Sequence, residues 1–81
     1  MGLKRVELEK ANIGMGCLGR ARDDEPVFIL RAQDRLAPLV VAQWAAMARL
    51  FGVGEAKVRE VEALAEAMRG WGKENGSKLP D

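Results

Sequence analysis

Between Glu55 and Arg69 the apolar residues Val58, Val61, Leu64, Ala65 and Met68 recur at i, i+3, i+6, i+7 and i+10, with Lys57, Arg59, Glu60, Glu62, Glu66 and Arg69 on the other side. That period belongs to a helix with one buried stripe and is incompatible with a strand. Gly54 precedes the stripe, and Gly70 supplies a stop where a left-handed residue costs nothing. A second helix is predicted over Arg35 to Phe51, with Asp34 as its cap or Pro38 in its first turn. Its residues Leu39, Val40, Val41, Trp44, Met47, Ala48, Leu50 and Phe51 are interrupted only by Gln43 and Arg49 as polar side chains, so the apolar surface is too broad for one neighbour to cover. The three residues Gly52-Val53-Gly54 return the chain as an antiparallel helical hairpin.

Upstream, Leu3, Val6, Lys10 and Ile13 have helical spacing, and Gly14 and Gly16 end that helix. The segment from Asp23 to Gln33 is ambiguous. Its acidic residues and Pro26 signal a helix start, whereas Val27-Phe28-Ile29-Leu30 has strand composition. No second convincing strand is available to pair with it, which favours a short helix. The expected fold is therefore all-α: a single small helical domain of three to four helices over residues 1–72, ending in the hairpin, followed by a polar, frayed tail at 73–81. No internal repeat is visible.

Composition then limits the chemistry. The 81 residues contain no His, Thr or Tyr, and the only Ser is Ser77. A chain without histidine lacks the usual general base near neutrality and the commonest metal ligand, so binding is expected rather than catalysis, with no cofactor and no metal. Cys17 is the only candidate nucleophile, flanked by Arg20 and Arg22, but a buried structural thiol is the better reading of a lone cysteine. It offers no intramolecular disulfide, and no apolar run reaches the roughly 18 residues of a membrane span, so a cytoplasmic location is expected. Residues 1–22 carry three net positive charges that Asp23, Asp24 and Glu25 cancel at once, a mixed pattern that argues against a nucleic-acid arm. A domain of this length also has a thin core, and self-association is the natural remedy.

Three places could carry a ligand. Gly14-x-Gly16-x-x-Gly19 has the letters of a dinucleotide fingerprint without the preceding strand and βαβ context that the chemistry needs, so it reads as a turn, or as a backbone cradle for an anion beside Arg20. Arg31, Gln33, Asp34 and Arg35 form the densest polar cluster, in which a guanidinium fork beside an amide suits a phosphate or a purine edge; a solvated turn is the plainer alternative. Trp44 and Trp71 could stack on a base, although a tryptophan among apolar helix residues more often lies in the core. Asp24 and Glu25 are better explained by capping than as an acid/base pair.

The run Gly16-Cys17-Leu18-Gly19-Arg20-Ala21, then Asp24-Glu25-Pro26-Val27-Phe28-x-Leu30-Arg31-Ala32-Gln33-Asp34, Leu36-Ala37-Pro38 and Trp44-Ala45, resembles a group of short bacteriophage and prophage proteins. Ala65-x-Ala67-Met68, Trp71 and Leu79-Pro80-Asp81 resemble the same group. The resemblance implies an accessory role in a host bacterial cytoplasm and carries no mechanism. In that setting the expected function is non-enzymatic: counteracting host defence by sequestering a nucleotide signalling molecule at a pocket between subunits of a homo-oligomer, with Arg20, Arg31, Gln33, Asp34 and Trp44 as ligand-binding residues. The alternative is a module that inhibits a host protein through the apolar helix face.

Overall fold

A computed structural model describes residues 1–80. It is all-helical, with α1 at Lys4–Asn12, α2 at Gly16–Arg20, α3 at Ala37–Leu50 and α4 at Glu55–Asn75. Among the described residues the only β pairing is a single parallel bridge between Asp34 and Lys78.

The antiparallel hairpin of α3 and α4 holds the core. Ala45 and Ala48 of α3 meet Val58 and Val61 of α4, with Val41 packed at the edge. Two alanines on the inner face let the helix axes approach closely, and Val58, wholly shielded from solvent, fills the space between them. Arg49 fastens the turn end, its Nη2 lying 2.8 Å from Glu55 Oε1 and 3.2 Å from Glu62 Oε1. Arg59, four residues on along α4, also lies 3.6 Å from Glu55 Oε1, with Arg49 the closer partner of that carboxylate.

The second helix starts two residues later than expected, at Ala37. Asp34 does not cap it directly; its Oδ1 accepts the Leu36 N–H at 2.8 Å, and Pro38 occupies the first turn, where a missing N–H costs nothing. The last helix does not stop at Gly70. It runs on through Gly72 and ends at Gly76, whose φ of 91° closes it. Glycine permits a stop without enforcing one, and the hydrogen bond from Gly76 N to the Gly72 carbonyl, 2.8 Å, carries the helix to that later end.

Two expectations fail outside the hairpin. The segment from Pro26 to Arg31 is neither helix nor paired strand. Its acidic residues close a local turn, with Glu25 N–H on the Arg22 carbonyl and Arg22 N–H on Glu25 Oε1, both 3.1 Å, so they start no helix. The few residues between Pro26 and the turn at Ala32 cannot meet the cost of helix nucleation without a surface to pack on, and Phe28 is 85% exposed. Cys17 is likewise exposed on α2 rather than buried.

α1 and α2 pack on each other, α3 and α4 on each other, and no helix of the first pair contacts a helix of the second. The accessible surface is 6581 Å², whereas a compact monomer of 8.9 kDa would have about 4,800 Å². The Cα radius of gyration, 13.5 Å, likewise exceeds the roughly 12 Å of a compact chain this long. Much apolar surface thus stays uncovered, above all on α3.

Candidate functional site

The polar cluster at residues 31–34 finds its partners at the far end of the chain. Lys78 N–H donates to the Gln33 carbonyl at 3.0 Å, and Arg35 N–H donates to the Lys78 carbonyl at 2.9 Å. The Arg35 guanidinium donates through Nη2 to the Ser77 carbonyl at 3.1 Å. These bonds fasten residues 77–78 beside residues 33–35 and fold the chain back after Gly76. A Cβ at position 72 would meet the Ser77 Cβ at 3.4 Å, an ordinary contact, so the fold-back does not depend on glycine there.

The result is an open groove of about 430 Å³, lined by Arg31, Gln33, Trp71, Asn75, Gly76, Ser77 and Lys78. A smaller recess of about 180 Å³ continues it past Asp34 and Pro80. Arg31 makes no ion pair among the described residues and is exposed, so its fork is available to an anion. Trp71 is half-exposed and lines the groove. Asn75 donates its amide to the Trp71 carbonyl at 3.1 Å, which ties that side chain to the helix. The Asp34 carboxylate is already engaged with the Leu36 N–H, so it shapes the turn under the site.

Of the five residues expected to bind a ligand, the structure brings together Arg31, Gln33 and Asp34. Arg20 ends α2 and does not line the groove. Trp44 lies midway along α3, also outside it, and at 43% exposure it is not a core tryptophan. The tryptophan that lines the groove is Trp71. It was visible in the sequence as the alternative stacking residue, but Asn75, Ser77 and Lys78 carried no signal because they fell in the segment read as a frayed tail.

The Gly14-x-Gly16-x-x-Gly19 run resolves as a helical corner. Gly14 and Gly16 have φ of 71° and 75°, and a Cβ on Gly19 would come within 2.8 Å of the Gly14 carbonyl carbon. The N–H groups of Ile13, Gly14 and Met15 are spent on the Lys10 and Ala11 carbonyls, leaving no anion cradle in that part of the loop. All three glycines serve the tight crossing of α2 on α1. Among the described residues no group of His, Cys, Asp or Glu side chains is placed to hold a metal ion. No helix there is long and apolar enough to cross a membrane.

Charge shifts lie outside the groove. Arg49 holds the Glu55 carboxyl below the usual carboxylate range, chiefly through their hydrogen bond, and is itself raised by Glu55 and Glu62. Both effects belong to the hairpin turn and are structural. No family model matches the chain, and neither does any curated protein or solved structure.

Proposed function

We propose that the chain is a non-enzymatic binding protein that captures a nucleotide-type anion in the groove between residues 31–34 and the carboxyl-terminal end of α4. One observation carries this reading: Arg31, Gln33 and Asn75 converge with the Trp71 indole on one open groove of about 430 Å³. An unpaired guanidinium suits a phosphate, amides suit a base edge, and an indole suits a base face. Sequestration of a nucleotide signal used in host defence fits the phage-like sequence pattern, and the host bacterial cytoplasm is where such a protein would act.

A thermal-shift panel of cyclic and ADP-ribose-type nucleotides tests it. A ligand present at about 100 times its Kd stabilises the folded state by roughly 2.7 kcal/mol, well within the reach of the assay. Arg31→Ala and Trp71→Ala should each reduce the shift. No shift with any nucleotide at millimolar concentration would sink the reading.

The exposed apolar face of α3 favours a second reading, inhibition of a host effector protein through that face. Leu50 and Phe51 are 85% and 86% exposed, a cost a soluble monomer seldom bears. A direct complex with one host protein, lost in Leu50→Glu, would support it.

A further inference from the structure

We infer that the exposed stripe of α3 is a twofold interface with a second copy of this chain, formed by antiparallel pairing of the two α3 helices around Trp44. Leu36, Val40, Trp44, Met47 and Phe51 follow one another at spacings of four, four, three and four residues, one continuous strip about 22 Å long on a helix rising 1.5 Å per residue. All five are exposed. Leu39 and Leu50, also exposed, lie on the far side of Gln43, which borders the strip. The side of α3 turned towards the protein interior, carrying Ala37, Val41, Ala45 and Ala48, adjoins the strip, about a quarter-turn round the helix from it.

Charge and area select the occupant. Arg49 is the only charged residue of α3, and it is held by Glu55 and Glu62 of α4, so the strip presents no charge for a partner to match. A covering surface must therefore be equally uncharged, and the chain's own α3 is such a surface. The excess of accessible area over a compact monomer is about 1,800 Å², of which a standard interface would take about 800 Å² from each copy.

The register follows from symmetry. A twofold contact is isologous, so the middle of the strip meets its own copy. Antiparallel pairing centred beside Trp44 sets Leu36 against Phe51 of the other copy and Val40 against Met47, a larger residue facing a smaller one each time. With the strip about a quarter-turn from the side that packs on α4, the two hairpins form a four-helix bundle in which each α4 stands beside the α3 pair.

Sedimentation velocity and light scattering on the purified protein should give twice the chain mass of 8.9 kDa. Met47→Glu should give a monomer that retains its far-ultraviolet helical signal, since Met47 is exposed within one chain. In a Cys17→Ser background, an equimolar mixture of Val40→Cys and Met47→Cys proteins should cross-link on oxidation, whereas Val40→Cys alone should not. A monomer at every soluble concentration overturns the interface and returns the strip to a foreign protein. A larger assembly, or cross-linking of Val40→Cys to itself, overturns the antiparallel dimer. The inference does not depend on the groove: a monomer that still binds nucleotides refutes this interface alone, and a dimer that binds none refutes the proposed ligand alone.

Discussion

Val58 is the side chain on which the hairpin's stability turns, because among the described residues it is the largest that is fully shielded. Val58→Ala removes two carbon atoms from the contact with Ala45 and Ala48. Transfer of those groups is worth about 1.6 kcal/mol, and the cavity left between two helices that cannot fully collapse adds up to about 1 kcal/mol. Alanine's better helix propensity returns about 0.5 kcal/mol. The net loss is about 2 kcal/mol, against a total of roughly 4 to 12 kcal/mol for a chain this long. Urea titration followed by circular dichroism, with wild type and variant at one protein concentration, should show a lower midpoint at unchanged slope, and the thermal midpoint should fall by about 10 °C. A loss below about 0.5 kcal/mol would show that the α3–α4 contact is not the principal core, and a changed slope would show that the variant alters more than a local contact.

The remaining expectations concern separate parts of the molecule. Because α1 and α2 contact neither helix of the hairpin, Gly19→Val should force α2 off α1 and speed proteolysis before residue 21, while the main unfolding transition keeps its midpoint. The folded-state pKa of Glu55 is depressed, so its contribution is complete above the unfolded carboxyl value near 4.3 and is lost as pH falls through the lower folded value; Glu55→Gln should flatten stability against pH in that acidic window alone. Ligand titration should quench the fluorescence of Trp71 in a Trp44→Phe protein, and an unchanged signal alongside a positive thermal shift would move the site away from the groove.

Both hairpin helices were legible to within a few residues because their apolar positions repeat with the helical period and the intervening Gly52-Val53-Gly54 is too short for anything but a reversal. The corner glycines were legible as a turn for the same kind of reason, since the strand a phosphate loop requires was absent. Phe28 and its neighbours were misread because acidic residues before a proline look alike whether they cap a helix or close a turn; only a packing surface decides between them, and here there is none. Cys17 was placed inside by residue type, and Trp44 was assigned to the ligand site with the core as the plainer alternative; burial depends on whether another element arrives to cover a side chain, and none covers either.

What the sequence determined by itself is thus an all-helical chain with a carboxyl-terminal hairpin and no histidine, hydroxyl or disulfide chemistry beyond Ser77 and Cys17, because periodicity and composition are local properties. What only the tertiary structure decided is the groove. Arg31 and Trp71 lie forty residues apart and share a site solely because the backbone of residues 33–35 pairs with that of 77–78. Backbone hydrogen bonds between distant segments leave no mark in residue type, since every residue but proline offers the same donor and acceptor.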